Sequence, residues 1–313
     1  DVSPGVDSSY AFYSSYAVEL DGWAYFAATV PTHGNELWRA KGSSDGLDLE
    51  MVKDIWPLGD SSYPDYLVTI GDYVYFSAEA NGFGIELWRT DGTPVGTTMI
   101  KDIYTGVNGS FPDDFVDQGD WILFNATDET YGSELWRTDG TEAGTTLVKD
   151  INSNGSNSSS PSDPVAVGGY VYFTADDGIN GREIWRSDGT AAGTMIWGNI
   201  SALGDSNPQD LTVFNGAVYF SADDDVNGRE LWYANGATTD IVKDIYAGFN
   251  TSYPTNFHAL GSYLYFRAVD PASGQELWRT DGTEAGTLLV ENLADGDDSS
   301  SPDAGVSVGD FLY

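Results

Sequence analysis

Short apolar runs separated by breaks rich in Gly, Asp, Asn and Ser fill this chain, and none has the period of an amphipathic helix. The stretch 64–104 shows the grammar. An apolar run over 65–70 ends at the turn Gly71-Asp72, and a second run covers 73–78 (YVYFSA). After a loop at 81–84 comes a third run, 86–90 (ELWRT). The turn-rich DGTPVG follows at 91–96, where Asp-Gly favours the positive φ angles of a tight hairpin. A fourth run, 97–103, is rich in β-branched residues. Four strands per segment are predicted. The second is apolar at nearly every position: WAYF from Trp23, YVYF from Tyr73, WILF from Trp121, YVYF from Tyr170, AVYF from Ala217 and YLYF from Tyr263. A strand with one wet face would alternate, so these strands are expected to be covered on both faces.

The segment is copied. Glu-Leu-Trp-Arg, or a one-residue variant of it, places tryptophans at Trp38, Trp88, Trp136, Trp185, Trp232 and Trp278, in steps of 50, 48, 49, 47 and 46 residues. A fixed period of this size with four strands per copy predicts an all-β fold, a β-propeller of four-stranded blades. The units run approximately over 11–60, 61–108, 109–157, 158–205, 206–251 and 252–298, with a seventh begun at 299–313, in one repeat domain over 1–313. An open β-repeat superhelix is the alternative, because stacked repeats need not close. In a closed six-bladed ring 306–313 and 18–26 would compete for the same place, so a seventh blade in a longer chain is expected. The first residues resemble the tail of a unit, and neither an initiator Met nor a signal peptide is visible.

The third and fourth strands carry a second regularity. The Glu of ELW and the Lys of KDI lie 17 residues apart at Glu36 and Lys53, 15 at Glu86/Lys101 and Glu134/Lys149, and 13 at Glu230/Lys243. Changes by twos preserve the face of every later side chain, so a Glu–Lys ladder across the hairpin is expected. Gly198 and Glu291 replace the Lys in two units.

The strings ELWRTDGTPVGT from Glu86, ELWRTDGTEAGT from Glu134 and Glu276, and EIWRSDGTAAGT from Glu183 resemble the ELWxxDGT repeat family across essentially the whole chain. The first and fifth units (ELWRAKGSSDG, ELWYANGATTD) depart in the DGT half. The resemblance implies large secreted or surface-associated multi-repeat proteins, propeller-like in fold. It implies no catalytic residues.

Composition narrows the function. Acids number 49 and bases 13, a formal net charge of −36. Nine of the bases sit in the ELWR and KDI strings, leaving an anionic surface that repels nucleic acid and anionic membranes. Solubility in salt is the plain reading of that charge, and a cationic partner or bound cations the pointed one. No apolar stretch is long enough to span a bilayer as a helix.

Candidate chemistry is sparse. The six repeated tryptophans are expected in the core between units rather than as ligand-stacking faces. Asp223, Asp225, Asn227 and Gly228 spell D-x-D-x-N-G, oxygen ligands and a turn glycine that suit Ca²⁺. The downstream bidentate acid is missing, so a polar turn competes with that reading; the sister loop at Asp176, Asp177 and Asn180 holds less of the pattern. Six glycosylation sequons stand at Asn108, Asn125, Asn154, Asn157, Asn199 and Asn250, with Asn125 directly after a core strand. Cys is absent, His33 and His258 are the only histidines, and no triad spacing is visible. These readings favour a non-enzymatic extracellular module of a cell-surface, appendage or filament assembly, whose partners are other subunits, copies of itself or glycans. A Ca²⁺-dependent adhesion propeller and a carbohydrate-active enzyme are the alternatives.

Overall fold

In the computed structural model the described residues are 17–44, 46–294, 296, 299–300, 302, 307–308 and 311–312. Six four-stranded antiparallel sheets follow one another, each with its strands in sequence order. They span 18–53, 65–101, 113–149, 162–198, 209–243 and 255–291. These are propeller-type blades, as the repeat predicts. The chain divides into two compact units, Asp1–Ser160 and Pro161–Tyr313, each holding three complete blades. Beyond the sixth blade Ser307–Val308 pairs with Phe311–Leu312 as a two-stranded hairpin.

The second blade shows why these residues make these strands. Its strands are β1 (Asp65–Ile70), β2 (Tyr73–Ala80), β3 (Gly84–Thr90) and β4 (Thr98–Lys101). Val74 to Ala78 of β2 are all buried, which accounts for the unbroken apolar run. Within each unit the second and third blades pack their third-strand tryptophans on the blade before. Trp88 joins Leu20, Tyr25, Leu37 and Val52 of the first blade, and Trp136 joins Tyr75, Leu87 and Ile100 of the second. In the other unit Trp232 meets Tyr172 and Ile184, and Trp278 meets Tyr219 and Leu231. Trp185 is buried as well, while Trp38 is half-buried.

One local expectation holds and one is corrected. The DGT segments form turn-rich loops with the glycine at positive φ, as at Gly92 (φ 87°) and Gly140 (φ 84°). Asp91 opens the loop, its Oδ1 accepts the N–H and hydroxyl of Thr93, and Thr97 N–H bonds back to the Thr93 carbonyl. Gly96 lies where a Cβ would stand 2.0 Å from the Asp91 carboxylate, so the second glycine of DGTxxGT is required by contact. The Glu–Lys ladder does not form. Between Leu87 and Trp88 the register to β4 slips, and Leu87, not Glu86, faces Lys101. The same slip occurs in the five other blades, at Leu37, Leu135, Ile184, Leu231 and Leu277. A one-residue bulge sends everything after it to the opposite face. Parity of loop length was the right signal, but the bulge reverses its consequence.

Candidate functional site

The residues the repeat copies are employed in joining blades. Glu86 is fully buried, and its carboxylate accepts N–H groups from Ile103 (2.9 Å), Tyr104 (3.2 Å) and Ser110 (3.1 Å) and the Ser110 hydroxyl (2.6 Å). These donors belong to the linker that leaves β4 for the next blade. Thr127 N–H of that next blade then bonds the Ser110 carbonyl, so the buried Ser ties two blades to one carboxylate. Glu36 with Ser62, Glu183 with Ser206 and Glu230 with Ser252 repeat the arrangement. Burial pushes the Glu86 and Glu230 carboxyls up to about 7 against the pull of their hydrogen bonds, and raises Glu36, Glu134 and Glu183 in the same direction.

The lysines released by the bulge reach forward. Lys53 Nζ donates to the Thr97 carbonyl (2.7 Å), Lys101 to Thr145 (2.7 Å) and Lys243 to Thr287 (2.8 Å), each time the DGT-loop threonine of the following blade. Lys53 and Lys243 also stand 5.9 Å over the next tryptophan ring. The two irregular units thereby explain each other. The fourth blade has Gly198 in place of Lys, and the fifth, which should receive it, lacks the DGT loop. Trp197 Nε1 instead donates to Asn235 O (2.8 Å), and a Cβ on Gly198 would stand 2.8 Å from Thr239.

The arginines stack on the residue that opens the second strand: Arg39 on Trp23, Arg89 on Tyr73, Arg137 on Trp121, Arg186 on Tyr170 and Arg279 on Tyr263, at 4.0–4.5 Å from the ring centroids. Of the thirteen cations only Lys41 is exposed.

The D-x-D-x-N residues are engaged locally. Asp223 Oδ1 accepts Asp225 N–H, Asp225 Oδ2 takes the Ser201 hydroxyl, and Asn227 donates to Asp224. Asp177 and Asn180 repeat the last contact. Among the described residues no three acidic, His or Cys side chains gather as metal ligands would. Asn108, Asn154, Asn157, Asn199 and Asn250 are exposed, the first three and the last in linkers between blades. Asn125 is half-buried within a strand, its amide donating to Asp113 and accepting from Ser133. His33 bonds its neighbour Thr32.

Sequence reasoning missed the loops themselves. The hairpins between second and third strands lie against the interblade linkers: a Cβ on Gly84 would meet the Asn108 carbonyl, and one on Gly132 the Ser156 carbonyl. In the first unit this surface exposes Leu58, Tyr63, Tyr66, Phe83, Val107 and Phe111. Tyr63 (φ 46°), Tyr66 (φ 52°) and Phe111 (φ 49°) are moreover in the left-handed region, which bulky residues avoid. An aromatic immediately before Pro64 and Pro112 was the available signal.

No known family profile matches the chain, and no curated protein matches it in sequence. Solved structures similar in shape include a puromycin hydrolase S511A mutant complexed with PGG, at 14% identity over 88% of this chain and 46% of that one, TM-score 0.49. A Mycobacterium tuberculosis puromycin-hydrolyzing peptidase is 11% identical over 96% of this chain and 47% of its own, TM-score 0.48. The computationally designed Ika8 protein is 11% identical over 90% and 88%, TM-score 0.43. The chain spans about half the length of the two hydrolases, and likeness at this level says nothing of activity.

Proposed function

We propose that this chain is a non-enzymatic interaction module of an extracellular assembly, of the kind the ELWxxDGT repeat proteins represent. One observation carries the reading: the charged residues copied from unit to unit are used up in holding blades together, while the variable residues form the exposed loops. Glu86, Lys101, Arg89 and Asp91 each have a partner inside the frame. A stiff frame with interchangeable loops suits recognition. The exposed linker sequons Asn108, Asn154, Asn157 and Asn250 fit a secreted protein in whose linkers a glycan is accommodated.

The test is intact-mass and peptide mapping of the protein from its native source, together with labelling of whole cells by a membrane-impermeant reagent. Glycans at linker sequons and surface labelling are expected. An unmodified protein shielded from the reagent overturns the reading.

A further inference from the structure

Three left-handed aromatics on one surface need a cause. The backbone requires the conformation. At the ends of three linkers two successive N–H groups bond one carbonyl of the third strand, Ser62 and Tyr63 to Asn35 O, Ser110 and Phe111 to Ile85 O, and Ser159 and Ser160 to Ser133 O. Ser160 and Asn207 hold the same place in later blades with φ 46° and 43°, and Tyr253 holds it before the sixth blade with φ 48°. Three residues on, Tyr66 opens the bulge of its strand, where the other blades carry Asp114, Asp163, Asp210 and Asn256 at φ 53–59°. Small polar residues therefore satisfy both positions, and Asn or Asp adopts this conformation at less cost than an aromatic. Tyr63, Tyr66 and Phe111 are no asset to the backbone there.

Nor do they serve the core. Tyr63 is 59% exposed, Phe111 58% and Tyr66 54%, with Leu58 at 99% and Val107 at 79% beside them in the linkers. The charge around them has one sign. Asp65, Asp113 and Asp114 lie close enough to Tyr66 to raise its phenol pKa, after burial as the larger cause. No exposed Lys or Arg accompanies them, since Lys41 is the only exposed one among the described residues and lies over Trp23. Exposed rings ringed by carboxylates match ammonium or guanidinium groups, whose charge the acids attract and the ring faces accept. The intervening aliphatic side chains match apolar anchors.

We propose that the linker surface of the first unit, built on Tyr63, Tyr66 and Phe111 and bordered by Asp65, Asp113 and Asp114, docks a basic polypeptide segment that alternates Lys or Arg with apolar residues. This rests on the reading of the chain as an interaction module, and names its partner class.

Calorimetric titration of the intact, unglycosylated protein at physiological ionic strength tests it. The probes are a short peptide alternating Lys with Leu, a peptide of equal charge alternating Lys with Gly, and a neutral hexasaccharide. Tyr63→Ser, Tyr66→Asn and Phe111→Ser are combined in one variant, each new residue being one that already stands at the equivalent place in another blade. Leu47→Ser with Val95→Ser, exposed at the opposite loops, is the control. The Lys–Leu peptide is expected to bind about tenfold tighter than the Lys–Gly peptide, and the triple variant to lose that advantage while the control keeps it. Equal binding of the two peptides overturns the proposal. So does an undiminished triple variant, aromatic-dependent binding of the hexasaccharide instead, or loss of self-association as the variant's only effect. Because the peptides are supplied in vitro, failure here leaves the extracellular assignment standing, and failure of the cell-labelling test leaves this one standing.

Discussion

At Glu86 four donors from one linker converge on a carboxylate that is fully buried. Removing such an acceptor strips the Ile103 and Tyr104 N–H groups and the Ser110 hydroxyl of their partner, while the Ser110 N–H keeps the Ile85 carbonyl, so Glu86→Ala should cost about 3 kcal/mol or more, read as a lower urea midpoint. The same residue sets a pH dependence. Protonation requires only that the Ser110 hydroxyl turn from donor to acceptor, and burial has already moved the Glu86 and Glu230 carboxyls up to about 7 from 4.5. A raised folded pKa means that the folded state holds protons the unfolded chain releases. The contribution is complete below the unfolded value and is lost as pH rises through 7. Asp91, Asp139 and Asp188 act oppositely. The Thr hydroxyl of each DGT loop holds them below the usual carboxylate range, so their share is lost in acid. In high salt the melting temperature should rise as pH falls from about 8 to about 5.5, then drop below about pH 4. In the Glu86→Gln, Glu230→Gln double variant the rise should shrink. A wild-type maximum at the alkaline end would refute the account.

Strands and period were legible because both are local. The run Tyr73–Ala80 and the string from Glu86 announce themselves in a window of ten residues. The partner of Glu86 was not legible, because Ser110 lies 24 residues away and a single bulge decides which face Lys101 takes. The irregular units were visible in sequence, yet only the contact of each Lys with the next blade's Thr shows that Gly198 and the altered fifth loop are one change. That contact yields a prediction about the element. Lys101→Met, which keeps the stem and removes the donor to the buried Thr145 carbonyl, should cost about 1.5–3 kcal/mol. Gly96→Ala should be destabilising by a different route, since its Cβ would collide with Asp91. If Lys101→Met melts with the wild type, the forward reach of the lysines is decorative and the stacking of blades rests on the tryptophans alone.

For the molecule as a whole the decisive quantity is charge. Forty-nine acids stand against thirteen bases, and the bases are folded inward as stacking groups and interblade donors. The surface is thus more uniformly anionic than composition alone indicates, and its self-repulsion opposes the compact state. At about 0.15 M salt the screening length is about 8 Å, and at about 1 M it is about 3 Å. Raising NaCl from low to molar concentration should therefore raise the melting temperature. A surface held by ion pairs would respond in the opposite sense; Arg39–Glu50, at 2.6 Å, is such a pair, set against an excess of 36 acids. The carboxylates of the D-x-D-x-N loop are already occupied by Asp225 N–H and the Ser201 hydroxyl, so CaCl₂ should act no differently from MgCl₂ at equal ionic strength. A thermal shift specific to Ca²⁺ and reversed by chelator would show that these hydrogen bonds yield to a metal. The loop would then have to be read as a binding site, and the stability of the anionic frame as conditional on its cation.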